Sequence, residues 1–152
     1  METHTTDKNL EFFFVETGCY LLLPYADEGI RAGFPSPAQD YMESGIDLNR
    51  ELIRHPSSTF YGRVKGDSMI DAGIQEGDIL VIDKSLEPCD GDMAVCYLDG
   101  EFTLKFIRIE KEAIWLVPAN PAYTPIKVMP DDDFTIWGIV TYSIRNNRKK
   151  SR

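Results

Sequence analysis

Residues 93–109 read MAVCYLDGEFTLKFIRI, two runs of strand-forming residues on either side of Asp99-Gly100. An Asp-Gly pair between apolar runs is the strongest local hairpin signal, because both turn residues must adopt positive φ. The pattern predicts an antiparallel ladder of Met93–Leu98 against Glu101–Ile109. Outward from it, Thr59–Lys65, Ile79–Ile82, Ala113–Pro118, Ile126–Val128 and Phe134–Ile144 also read as strands. Gly66-Asp67, Glu76-Gly77-Asp78, Asp90-Gly91-Asp92 and Asn120-Pro121 stand between strands as turns. About seven short strands at close spacing predict a mostly β domain with a curled antiparallel sheet, of sandwich or partly closed barrel type. Upstream, Tyr41–His55 has room for one short helix, with Leu48, Leu52 and Ile53 at helical spacing and Pro56 as its stop. The prolines of AGFPSP (32–37) hold Phe34 and Ser36 extended and predict an exposed hinge. Before the hinge stands a short flexible arm, residues 1–32, in which Asn9–Glu16 reads as a strand and Gly18, Pro24 and Gly29 break up the remainder. The division expected is an arm over 1–32 and a β domain over 33–152.

A chain of 152 residues with 43% apolar content can bury a sufficient core without staples. Cys19, Cys89 and Cys96 are odd in number and form no C-x-x-C pair, so reduced thiols and a cytoplasmic location are expected. No apolar run approaches the roughly 20 residues that cross a bilayer, and no secretory signal opens the chain. Arg145, Arg148, Lys149, Lys150 and Arg152 follow Ile144 without an acid, so residues 1–144 carry −14 of a net −9. A body so acidic repels phosphate backbones, and sequence-specific DNA binding is not expected. The basic tail reads as a solvated terminus, with contact to a phosphate backbone as the alternative.

Most catalytic constellations fail for want of parts. Of the two histidines, His4 lies near the terminus and His55 precedes a proline, and both read as surface residues. Asp90-Gly91-Asp92 and Asp131-Asp132-Asp133 lack a calcium-loop pattern and read as a turn and a solvated run. There is no phosphate-cradling glycine motif. No metal and no cofactor is expected. Two candidates are left: Ser68, after a strand and a glycine turn, and Lys105, inside the best strand of the chain. A serine needs a base, and an uncharged lysine can serve when histidine is absent. Lys105 shares a strand face with Thr103, Ile107 and Ile109, and burial there would lower its pKa. The alternative is an ordinary turn serine and a solvent-facing lysine, with Phe102, Leu104 and Phe106 toward the core. Both readings are open on these grounds.

The segments AGFPSPAQDY (32–41), GIDLNRELIRHPSSTFY (45–61), KGDSMIDAGIQEGD (65–78), DGEFTLK (99–105) and PANPAYTPI (118–126) together resemble the LexA/UmuD family of self-cleaving serine peptidases. The resemblance implies the β fold of that family's C-terminal peptidase domain and a serine-lysine dyad. In it Ser68 is the nucleophile, Lys105 the general base, and the bond cut lies between Ala32 and Gly33. Some members have cysteine before that glycine, whereas alanine stands here; a small residue suits a tight pocket either way. Repressors of the family carry a helix-turn-helix domain where this chain has only its arm, which argues against repression. The resemblance further implies a homodimer acting in the SOS response. A RecA filament on single-stranded DNA would promote self-cleavage, and the product would join a UmuC-type translesion DNA polymerase. Two competitors are signal peptidase I, which needs a membrane anchor, and a non-catalytic interaction module of the same fold.

Overall fold

A computed structural model describes residues 3–6, 10–15, 22–23 and 45–148. The chain divides into two compact units, one made of Met1–Val15 with His55–Arg152, the other of Glu16–Arg54.

The larger unit is built on one antiparallel sheet. Its strands are β1 (Thr3–Thr6), β2 (Leu10–Phe14), β5 (Thr59–Val64), β6 (Ile79–Asp83), β7 (Met93–Leu98), β8 (Glu101–Ile109), β9 (Ile114–Val117), β10 (Ile126–Val128) and β11 (Phe134–Ile144). The spatial order is β1-β2-β5-β6-β11-β7-β8-β9-β10, so the sheet is open, with β1 and β10 at its edges. The Asp99-Gly100 hairpin forms as expected: Leu98 pairs with Glu101, and Asp99 and Gly100 take φ of 48° and 91°. Every strand expected from Thr59 onward is present, with ends displaced by at most a residue.

Alternation along the strands feeds two apolar clusters. Leu10, Phe12, Leu80, Ile82, Val95 and Leu104 belong to one, and Ala94, Cys96, Ile107, Leu116 and Ile139 to the other. Val95 enters the first while its neighbours Ala94 and Cys96 enter the second, as a period of two requires. The long strand β11 serves both β7 and β6, and its register slips once on each side, between Ile136 and Gly138 and between Val140 and Tyr142. Such bulges bend a strand and let one element span two ladders. A glycine suits the bend at Gly138, because a Cβ there would stand 2.5 Å from Ile82 Cγ2 and force a shift.

The Asn9–Glu16 strand also exists, as β2, and it belongs to the sheet rather than standing apart from it. It pairs with β5 from Leu10↔Val64 to Phe14↔Phe60, and Leu10 and Phe12 are 0% and 2% exposed. His4, expected in a loose terminus, falls within β1, which pairs with β2.

In the smaller unit β3 (Leu22–Leu23) pairs with β4 (Ile46–Asp47), and α1 (Leu48–Leu52) comes directly after. Asp47 caps α1 by accepting the Asn49 N–H at 3.1 Å. The helix lies in the expected window but ends at Ile53, whose backbone is extended, before Pro56 is reached. Pro56 instead opens a 3₁₀ turn, Pro56–Ser58, where its fixed φ is useful and its missing N–H costs nothing.

Candidate active site

After β5 the chain turns through Gly66, at φ 86°, and reaches Ser68 just before a 3₁₀ turn at Ile70–Ala72. The turn is anchored at both ends. The Val64 N–H donates to the Asp78 carbonyl and the Gly77 N–H to that of Val64, at 2.9 and 2.8 Å, and Met69 is buried in the first apolar cluster. A third tie comes from the loop after β9. The Ala119 N–H donates to the Ser68 carbonyl at 2.8 Å, the Asn120 amide to the Asp67 carbonyl at 2.9 Å, and the Tyr123 hydroxyl to Asp67 Oδ1 at 2.7 Å. That last bond raises the Tyr123 pKa. The sequence marked this loop as a turn at Asn120-Pro121 and as part of a family resemblance; its bracing of the serine turn is visible only in three dimensions.

Lys105 comes from the middle of β8, and only 7% of it is exposed. The solvent-facing alternative is thereby removed. Its Nζ lies 3.0 Å from Ser68 Oγ, 2.7 Å from Thr103 Oγ1 and 3.0 Å from the Leu104 carbonyl oxygen. None of the ion pairs among the described residues includes it. Burial pushes its pKa down, a trend that Cys96 opposes only weakly. Cys96, paired across the ladder with Thr103, is itself pushed up to about 12 by burial, with Lys105 pulling the other way. A thiol so placed is neutral and supplies no counterion.

Nζ donates to Thr103 Oγ1, to the Leu104 carbonyl oxygen and to Ser68 Oγ; in a neutral amine, which has two N–H groups, one of these three contacts would run the other way, into the nitrogen lone pair. The N–H groups of Ser68 and Met69 have no hydrogen-bond partner among the described residues. A cavity of about 90 Å³ adjoins the pair, lined by Val64, Ser68, Met69, Leu104 and Tyr123 among others. This is well below the roughly 300 Å³ at which sites for free small molecules begin, and it suits one small side chain of an extended peptide.

Ala32 and Gly33, the expected cleavage pair, lie outside the described residues. Asp90 and Asp92 accept the N–H groups of Ile109 and Cys89, and Asp132 that of Met129, so both acidic runs close turns. Among the described residues no group of three or more His, Cys, Asp or Glu stands where it could hold a metal ion. His55 is half exposed, yet its Nδ1 lies 2.6 Å from Asp83 Oδ2, a contact that no sequence pattern announced. Burial would raise the Asp83 pKa, but hydrogen bonds from Ser85 and His55 outweigh it and hold the carboxyl below its usual value. Arg145, expected at the start of a solvated tail, is tied instead to buried Asp78 at 3.1 Å and to the Gly73 carbonyl.

On an open β scaffold, a serine hydroxyl thus stands 3.0 Å from a buried amine that has no ion-pair partner among the described residues. Residues 24–141 match the Peptidase S24-like family, and the chain belongs to it. It is 43% identical over 125 residues to Protein SamA of Salmonella typhimurium, covering 82% of this chain and 86% of that protein. It is 38% identical over 132 residues to Protein ImpA of Escherichia coli, covering 83% and 86%, and 39% identical over 123 residues to Protein MucA of Salmonella typhimurium, covering 80% and 84%. No described helix is long and apolar enough to cross a membrane.

Proposed function

We propose that this chain cuts its own Ala32–Gly33 bond with Ser68 and Lys105, and that the product over 33–152 serves SOS mutagenesis as a subunit of a UmuC-type translesion polymerase. The observation that carries the chemistry is the 3.0 Å contact between a buried amine and the serine oxygen. Family membership supports the self-cleaving character.

In this mechanism the Ser68 hydroxyl attacks the Ala32 carbonyl carbon while its proton passes to Lys105 Nζ. The N–H groups of Ser68 and Met69 stabilise the oxyanion. The Gly33 amine leaves with the proton from Lys105, and water then hydrolyses the ester on Ala32. Peptide and nucleophile share one chain, so their effective concentration is already high. The role assigned to a RecA filament on single-stranded DNA is therefore to favour the docked pose of the cleavage segment rather than to add a catalytic group. A homodimer in the cytoplasm completes the reading. No observation on the molecule favours the alternative, a non-catalytic module, over the dyad.

The test is incubation of the purified chain alone at alkaline pH, with product masses read by mass spectrometry. A fragment beginning at Gly33, absent with Ser68→Ala, is the expected result. An intact chain at every pH would overturn the proposal.

A further inference from the structure

The bond proposed for cleavage lies between two strands that pair with each other. β2 (Leu10–Phe14) precedes it and β5 (Thr59–Val64) comes after it, and the two form a continuous five-residue ladder. Once the bond is cut, no covalent link joins β2 to the β5 edge. The non-covalent link is well built. Leu10 and Phe12 point into the first apolar cluster with almost no exposure. Phe12 stands opposite Gly62, and its ring packs between Phe102, at 5.1 Å, and Trp137, at 4.8 Å. Phe14 meets Phe60 at 5.6 Å, and Glu11 pairs with Lys65 at 2.8 Å. Among the described residues β1 pairs with β2 alone and so travels with it.

We propose that the β5 edge and the aromatic floor of Phe60, Phe102 and Trp137 form a peptide-binding groove whose occupant is the chain's own residues 10–14, and that the N-terminal fragment stays seated there after cleavage. The inference rests on the proposed cut at Ala32–Gly33. Cleavage and release are then separate events: hydrolysis makes a nicked complex, and a surface able to take an extended segment with apolar side chains at alternate positions opens only when β2 departs. The ladder supplies main-chain hydrogen bonds, and the two inward pockets, for Leu10 and Phe12, supply specificity.

The experiment uses the full chain with Ser68→Ala and the recognition sequence of a foreign site-specific protease inserted between Ala32 and Gly33, so that the cut does not depend on the chain's own chemistry. After complete cutting, shown on a denaturing gel, native mass spectrometry and gel filtration should find both fragments together in equal number. Phe12→Ala in the same background should weaken retention by about a hundredfold or more, as expected for truncating a buried phenylalanine. If that variant does not fold before cutting, competition decides. An excess of a synthetic peptide of residues 8–16 should displace the labelled fragment, and the same peptide with Phe12 replaced by Ala should not. Spontaneous separation of the fragments, with the larger one still folded by Trp137 fluorescence, would overturn the proposal and leave the dyad untouched. Failure of self-cleavage, conversely, would not affect fragment retention.

Discussion

If Lys105 works as a neutral base, the pH dependence of cleavage and that of stability must break at one pH. Below the folded pKa of Lys105, the neutral fraction rises tenfold per pH unit, and so does the unassisted cleavage rate; above it the rate is flat. Burial places this break below the ordinary value of 10.5. Stability behaves in the complementary way. In the unfolded chain Lys105 titrates near 10.5, so between the folded and unfolded values the unfolded state binds the extra proton. Folding stability then climbs by about 1.4 kcal/mol per pH unit over that window, and Lys105 contributes no slope below or above it. The perturbation that isolates this contribution is Lys105→Met, which keeps the volume and removes the titration. Below that window this variant should have its largest advantage in stability, since no amine has to be buried charged or made to give up its proton, and the advantage should shrink as pH rises through the window. Cleavage in the variant should fall by about 10²–10⁴-fold, the usual contribution of a general base, with no pH slope left. The assays are product mass against time and urea unfolding at intervals of half a pH unit, for wild type and variant. To keep the unfolding baselines clean, both stability series carry Ser68→Ala. A cleavage plateau more than a unit away from the onset of the stability slope would refute the assignment of Lys105 as the base.

Gly138→Ala should cost about 1–3 kcal/mol by driving a methyl group into Ile82, read from the urea midpoint, whereas Gly91→Ala meets no atom and suffers only from its positive φ. Arg145→Ala should destabilise by about 1–2 kcal/mol, because buried Asp78 loses its charged donor while keeping the Gln75 N–H; an effect near zero would return Arg145 to the tail. Asp83 has a lowered folded pKa, so its contribution is fully present above its unfolded value of 3.8 and drains away as pH falls toward the folded one. The stability gap between wild type and Asp83→Asn should therefore narrow only below about pH 4, by at most about 1.4 kcal/mol per unit. In the native chain Cys89 should react with iodoacetamide at pH 8 while Cys96 stays protected, a contrast that peptide mapping would reveal.

The sheet from Thr59 onward was readable because each strand carries its own punctuation. The Asp99-Gly100 turn, the Gly66 turn and the alternation in β8 are local signals, and local physics produced them. Partnership, by contrast, could not be read locally. β2 has a strand's composition, but only the aromatic cluster around Trp137 reveals that it completes the core. On its own face of the strand Lys105 has polar Thr103 on one side and apolar Ile107 on the other, and periodicity alone could not say which side faces water; the answer lies in Ser68, 37 positions away. The His55–Asp83 and Arg145–Asp78 contacts are separated by 28 and 67 positions and left no trace in any short window. The helix shows the opposite failure. Leu48, Leu52 and Ile53 have helical spacing, yet Leu48 is 54% exposed and α1 buries no residue, because a single turn presents no stripe to bury.

The serine turn is held from outside by Ala119, Asn120 and Tyr123, residues with no proton to give or take in the reaction. If the chain cuts itself as proposed, an unbiased search for variants that stay whole should therefore return substitutions scattered over this loop, in proteins that still fold. Their common defect would be one of aim: an intact nucleophile and an intact base brought to rest a fraction of an ångström out of line.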